Sequence, residues 1–478
     1  MGNSTASGGR WRAAAVVAAA LVGGTLLPAA PALAVHGAVP GDFNGDGYRD
    51  AVLPAPGANV AGKEGAGAVV ILYGASSGLS ASHRKTITQN TAGVPGTAEA
   101  GDRFGESTAT ADLNRDGYAD LVVSAPYEDT ARGTDAGLVT VLWGGKNGLT
   151  TATDLPAPSN FLERYGTDLA AVSIGAGSKT QVAVGGSDGV MVFKGPFRRA
   201  GSFGSSTLDQ NTASPASVAL GDFDGNAVLD LAVTTEGLSD LSGGEVYVDP
   251  ATTVMQPKRG NGLIAASGDV NGDGYADLVV GDPWDPDVAG VDGALGGRVL
   301  VYHGTARGIS VDAEPVQLTQ DTAGVPGASE KGDNFGGALT VADLNRDGLA
   351  DIVVGAPFEG VAGKSRAGAV TVIPGRRTGA LGTGAYSFTQ DTAGVPGASE
   401  TDDFFGTTVS VEDVNKDGKP ELFVSAAGEN NFTGAVRVFP GGTSHPTATG
   451  TKLFTGPTVG LTQQSGTLLG GNGLLWLI

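Results

Sequence analysis

The sequence predicts an all-β protein: a seven-bladed β-propeller of four-stranded antiparallel blades, built as one domain. Three observations carry this. An acidic loop of the form D-x-[DN]-x-[DN]-G-x-x-D recurs along the chain. Most copies run at once into a continuously apolar stretch, the mark of a strand covered on both faces. Gly is abundant, at 80 residues, and no helical period separates the copies, so tight turns must join short strands. Neighbouring sheets of this kind pack face to face around an axis. A solenoid would need distinct capping units, and neither end reads as one.

Taken in order, residues 1–34 read as a secretory leader. Arg10 and Arg12 supply the positive region, residues 13–27 the apolar core, and Ala32-Leu33-Ala34 the small-residue cleavage site. A membrane anchor is the competing reading. It is set aside because the apolar stretch is short and Gly-interrupted, whereas spanning takes about 20 apolar residues. The protein is expected to be secreted and extracellular, with no transmembrane segment. It has no cysteine, so no disulfide staples it in an oxidising compartment. The formal net charge is −21, and −23 once the leader takes Arg10 and Arg12 with it. That excess argues against nucleic acid or an anionic membrane as a partner.

Residues 35–456 hold the repeats. The acidic loops start at Asp42, Asp112, Asp222, Asp269, Asp343 and Asp413, with steps of 70, 110, 47, 74 and 70 residues. The longest step hides a worn copy at Tyr165-Gly166, which keeps the strand pattern and has lost every acidic ligand. The count is therefore seven units. A Phe-Gly or Tyr-Gly often opens a unit, and a short strand leads to the loop. Apolar second and third strands follow, such as residues 121–126 and 137–144, then a weaker fourth such as 316–320. A Gly/Pro-rich link at Asn90, Asp321 and Asp391 leads to the next unit. The apolar tail, residues 457–478, resembles the start of an eighth unit cut short. It is expected to pair with an open sheet edge near the N-terminus as a ring-closing strand.

The loops carry the chemistry. Alternate side chains turned inward gather oxygens around one point, which suits a hard cation such as Ca²⁺. Gly at position six supplies the left-handed turn. Side-chain ligands are predicted at positions one, three, five and nine, with the position-seven carbonyl as a further candidate. The sets are Asp42, Asn44, Asp46, Tyr48, Asp50; Asp112, Asn114, Asp116, Tyr118, Asp120; Asp269, Asn271, Asp273, Tyr275, Asp277; and Asp343, Asn345, Asp347, Leu349, Asp351. A fifth set, Asp413, Asn415, Asp417, Lys419 and Glu421, ends one methylene longer and is still expected to bind. The set Asp222, Asp224, Asn226 and Asp230 has Ala227 where Gly is wanted and is expected to be the weakest. The third unit should bind nothing, so about five or six calcium sites are predicted. An EF-hand is excluded, because position twelve holds Leu53, Val123 or Val280 rather than a bidentate Glu. Asp, Asn and Gly also make plain turns, but that reading weakens with each equivalent copy.

Phe-Gly at 104–105, 335–336 and 405–406, the acidic loop, and then Gly-Ala-Pro at 355–357 together resemble the FG-GAP repeats of integrin α-subunit head domains. Bacterial secreted FG-GAP proteins share the pattern. Ser-Ala-Pro at 124–126 and Gly-Asp-Pro at 281–283 are variants of it. The resemblance implies a seven-bladed propeller with calcium in the loop joining the first two strands of a blade. Integrin α-subunits continue into further domains and pair with a β-subunit, so integrin-type pairing is not carried over.

Strand alternation puts the acidic loops and the strand three-to-four turns on one face. The longer two-to-three loops lie on the other. Tyr127, Arg132, Trp284 and Phe358 are the ligand-face candidates there, since aromatics beside charge are typical of binding surfaces. The predicted function is a calcium-binding adhesion or binding module, probed by a protein or glycan ligand and expected to be a monomer. The alternative is a propeller-fold hydrolase or polysaccharide lyase. Gly74 to Gly78 matches the G-x-S-x-G nucleophile pattern, but a serine elbow requires a helix next. Its sister turns at 144–148 and 304–308 lack the serine. The histidines, His36, His83, His303 and His445, are scattered.

Overall fold

The computed structural model describes Met1 and residues 41–159, 163–173, 180–212, 214–236, 243–249, 255–286, 291–473 and 475. The predicted leader, apart from Met1, lies outside these residues. The chain forms a seven-bladed β-propeller of antiparallel sheets, in which sequential strands are always neighbours. Blade 2 consists of Thr108–Ala111, Asp120–Ala125, Leu138–Trp143 and Thr151–Leu155. Blade 6 repeats it with Ala338–Ala342, Asp351–Ala356, Ala369–Ile373 and Tyr386–Phe388. The worn third unit is a full blade, from Leu169–Ser173 to Ser205–Asp209. Blade 4 ends in a fourth strand of only two residues, Asn261–Gly262. Among the described residues, blade 1 has the strands Ala51–Ala55, Ala68–Leu72 and Arg84–Ile87, preceded by a bridge from Gly41 to Asp50.

The apolar runs are buried along their whole length because each strand meets a blade on either side. In blade 1, Val52, Val69 and Ile71 pack toward Phe104 and Leu121 of blade 2. Their neighbours Ala51, Leu53, Val70 and Leu72 pack toward Phe423 and Val436 of blade 7. The core is thus a ring of seams, and the seam between blades 7 and 1 is as apolar as the rest. Each fully buried Val, Leu or Ile contributes about 1.5–3 kcal/mol. Losing the face-to-face contact at one seam therefore costs more than any surface loop can supply. The Phe or Tyr of each Phe-Gly or Tyr-Gly pair is a seam residue: Phe104, Tyr165, Phe335 and Phe405 are at most 1% exposed. Among the described residues, no helix is long and apolar enough to cross a membrane.

Candidate metal centres

All six acidic loops are held by the same hydrogen-bond frame. In blade 1, the Gly47 N–H donates to Asp42 Oδ2 (3.0 Å), Asp46 N–H to Asn44 Oδ1 (2.8 Å) and Tyr48 N–H to Asp46 Oδ1 (2.9 Å). The Phe43 N–H reaches Asp50 Oδ2 at 3.0 Å, which closes the loop on its ninth residue. The position-six N–H repeats this bond to the first acid in Gly117–Asp112, Ala227–Asp222, Gly274–Asp269, Gly348–Asp343 and Gly418–Asp413. The ninth acid accepts the second residue's N–H in Leu113–Asp120, Phe223–Asp230, Val270–Asp277, Leu344–Asp351 and Val414–Glu421. One oxygen of each pairing is thereby fixed in place, and the loop is preorganised by its own backbone.

The backbone explains the glycine. Position six has φ between +81° and +92° in the five Gly-bearing loops, and Ala227 is forced to +61°. Position four is also left-handed, at Gly45, Gly225 and Gly272 but also at Arg115, Arg346 and Lys416. Sequence reasoning did not anticipate those three strained basic residues. Arg346 Nη2 reaches Asp413 Oδ2 of the next loop at 3.3 Å. Arg199, from ligandless blade 3, reaches Asp116 Oδ2 at 2.7 Å. Arg49 pairs with Glu412 at 2.9 Å. The blade 7 loop is thereby tied to those of blades 6 and 1, and the blade 2 loop to blade 3. Of these cations only Arg346 stands at position four; Arg49 is at position eight and Arg199 lies on blade 3.

Burial sets the electrostatics of the ninth position. It pushes the carboxyls of Asp50, Asp120, Asp230 and Asp351 up to about 7, against the bonds from backbone N–H groups that pull them down; nearby loop acids add to the rise. Glu421 is pushed up to about 7 for the same reason. His303 Nδ1 lies 3.2 Å from Asp277 Oδ1, and this bond raises the imidazole pKa.

One loop departs from expectation. Among the described residues, only Asp222, Asp224 and Asp230 bring three carboxylate oxygens within 4.8 Å of one another. Asp222 Oδ1 is also buried without a hydrogen-bond partner. This loop was expected to be the weakest because of Ala227. Its acids converge because position three is Asp224 rather than Asn, so three carboxylates stand at positions one, three and nine. An orphaned buried oxygen facing converging carboxylates is the donor set that a cation fits.

The opposite face is more tightly packed than the sequence suggested. Tyr127 and Phe358 lie in the loops that leave the far ends of the second strands of blades 2 and 6. All four candidates are half-buried. Arg103 stacks over Tyr127 at 5.8 Å, and Arg132 over the buried Tyr165 ring at 5.7 Å. Trp284 packs against the seam of blades 5 and 6, and Phe358 stands 5.3 Å from Phe404. Asp287, beside Trp284, lies outside the described residues. Among the described residues, Phe432 is an aromatic that reaches solvent, 40% exposed, in a turn where Asn430, Asn431 and Phe432 are all left-handed.

Comparison with known proteins bears on this arrangement. The FG-GAP repeat family matches residues 34–72, 104–142, 261–302, 335–373 and 405–439, which are blades 1, 2, 5, 6 and 7. Mouse phosphatidylinositol-glycan-specific phospholipase D is 30% identical over 208 residues, covering 42% of this chain and 23% of that protein. Integrin alpha pat-2 of Caenorhabditis elegans is 30% identical over 230 residues, covering 44% of this chain and 17% of that one. The chain thus spans about a fifth of the length of these curated relatives. A solved structure, the exotype rhamnogalacturonan lyase YesX, aligns at a TM-score of 0.43 and 13% identity, over 87% of this chain and 73% of that chain, too slight a likeness to bear on function. The chain therefore carries five FG-GAP repeats within a ring of seven blades, and is similar in them to integrin α subunits and to the phospholipase.

Proposed function

We propose that this chain is an exported, calcium-stabilised propeller that serves as a binding or adhesion module for a protein or glycan. The observation that carries the reading is the common frame of the six loops, which presents acidic oxygens at equivalent places on one face. The side chains at positions one, three, five and nine of each loop would hold the ion, from Asp42, Asn44, Asp46 and Asp50 onward. Calcium there supplies charge neutralisation, not chemistry on a substrate. The loops also anchor the first two strands of each blade, so the ion stiffens the scaffold from which the opposite loops project. Loops on a rigid scaffold commonly carry recognition. On that opposite face, Phe432 and the charged loop at Lys364 and Arg366 offer contact area beside charge.

Calcium binding to metal-free protein by calorimetry, followed by glycan and protein array screening of the loaded form, tests the reading. Five or six equivalents of calcium and a calcium-dependent array signal are expected. A stoichiometry of zero removes the metal half of the proposal, and blank arrays remove the recognition half.

A further inference from the structure

The Phe-Gly pair of an FG-GAP unit has a fixed backbone signature in this molecule. The residue before the aromatic is left-handed, with φ of +58° at Arg103, +49° at Arg164, +59° at Asn334 and +55° at Phe404. The following Gly is left-handed too, with φ of +94°, +102°, +98° and +93° at Gly105, Gly166, Gly336 and Gly406. Blade 1 has no Phe-Gly before its acidic loop. The same signature appears instead near the other end of the chain, at Leu468 (+56°) and Gly470 (+98°) flanking Leu469.

The contacts match as well. Phe104 N–H donates to Ala66 O (3.0 Å) and Gly105 N–H to Ser124 O (2.8 Å), tying the pair to the preceding blade and to its own second strand. Leu469 N–H donates to Thr433 O (2.9 Å) of blade 7 and Gly470 N–H to Pro54 O (2.7 Å) of blade 1. A Cβ on Gly166 would stand 2.8 Å from Ser124 Cβ and 2.9 Å from Val139 Cγ2. On Gly470 it would stand 2.6 Å from Ser425 Cβ and 2.7 Å from Val436 Cγ2, the corresponding cross-strand pair of blade 7. Leu469 is fully buried in the seam between blades 7 and 1, as Phe104 is between blades 1 and 2. Thr408 Oγ1 adds a bond to Gly470 O at 2.8 Å.

We infer that the seam between the last and first blades is a docking site for an x-Leu-Gly turn with left-handed residues on either side of the leucine, and that the chain's own residues 464–473 fill it in the place that the Phe-Gly pairs take in other blades. The segment is joined to blade 1 by contacts alone, since the covalent chain between them runs around the entire ring. It acts as a clasp: a site that reads a left-handed residue, a buried apolar side chain and a glycine with no room for Cβ. Because the fit is non-covalent, the same site accepts that segment from a separate molecule once its own copy is displaced. Backbone hydrogen bonds give such docking its affinity, and the tight fit around Leu469 and Gly470 gives it specificity.

The test uses the full chain carrying Gly470→Val, whose side chain collides with Ser425 and Val436. Its melting temperature should fall by several degrees, and hydrogen exchange should quicken at Pro54-adjacent amides and in the Thr433 turn. An excess of a synthetic peptide of residues 464–473 should restore the melting temperature, while the same peptide carrying Gly470→Val should not. A variant that melts like wild type overturns the inference. So does a lowered melting temperature that no peptide restores, which would mark a local packing fault and not a docking site. Should the variant fail to fold, Leu469→Ala takes its place with the same peptides and the same readings.

Discussion

The acidic loops of blades 6 and 4 look like copies in sequence and differ in structure. In blade 6, Gly348 takes φ of +85° without strain, and both Asp351 oxygens accept backbone N–H groups, from Leu344 and Gly375 at 3.0 Å each. In blade 4, Ala227 is held at +61°, and Asp230 is half-buried and accepts one such bond, from Phe223 at 2.9 Å. Yet it is the blade 4 carboxylates that converge. Loop fit and charge convergence are therefore separate properties: glycine sets the first, and the position of the second acid, three in blade 4 and five in blade 6, sets the second.

Removing metal should have the largest effect. Extracellular calcium sites have dissociation constants of about 10⁻⁴ to 10⁻³ M. A site held at roughly ten times its dissociation constant gains about 1.4 kcal/mol, so five or six would give about 7 to 8 kcal/mol. That is comparable to the net stability of an ordinary domain, about 5–15 kcal/mol. Melting in calcium, in EDTA and in magnesium should show a sharp drop with EDTA and poor recovery with magnesium, which prefers a smaller octahedral shell. An unmoved melting temperature would reduce the loops to turn chemistry.

Next in size are the two double substitutions. Asp343→Ala with Asp347→Ala should cost about 2 to 3 kcal/mol in calcium, from a lost site and stranded backbone donors. Asp222→Ala with Asp224→Ala should cost less in calcium, because Ala227 already strains that loop. In EDTA the blade 4 pair should be neutral or stabilising, since it removes converging like charges. Equal losses for both pairs in both buffers would erase the distinction drawn above. Chemical denaturation of the four samples measures it.

A pH series separates the two faces. Burial pushes Glu128 and Asp333 up to about 7 and Asp403 up to about 6, all on the face away from the acidic loops. Their unfolded values lie near about 4. A folded value above the unfolded one means stability that is complete below about 4 and is lost as pH rises through 6 to 7. In saturating calcium, the melting temperature should therefore fall between pH 5 and pH 8, and Asp333→Asn should flatten that fall. A rising profile would contradict burial as the cause.

The smallest effect expected is Ala227→Gly. Relieving one left-handed alanine should stabilise the protein by about 0.5 to 1 kcal/mol, and more calcium should be needed to saturate Gly348→Ala than wild type. If Ala227→Gly destabilises, the strain assigned to blade 4 is wrong.

Much of the fold was legible because its signals are local. The continuous apolar runs at 121–125 and 352–354 announce strands covered on both faces, and the acidic spacing announces a turn between strands one and two. The common hydrogen-bond frame of the loops was legible, and the convergence of carboxylates in one of them was not. Asp224 at position three reads as a minor variant, but it decides where three carboxylates meet. The packing of the aromatic face was not legible for a related reason: Tyr127, Trp284 and Phe358 sit in loop sequence, but they are half-buried against neighbouring segments. Phe432, the exposed one, looks no different in sequence.

By itself, the sequence determined the repeat, the strand order within each blade and the acidic frame, because the loop is fixed within nine residues, each apolar strand shows in its own residues, and consecutive strands pair as neighbours. Tertiary structure alone decided the rest. Arg199 meets Asp116 across 83 positions, and Gly470 meets Pro54 of blade 1 from the far end of the chain. Nothing local marks Leu469 as the counterpart of Phe104. Its role comes from the closure of a ring, in which the last seam must be filled by whatever the chain still has to offer after the other blades have packed.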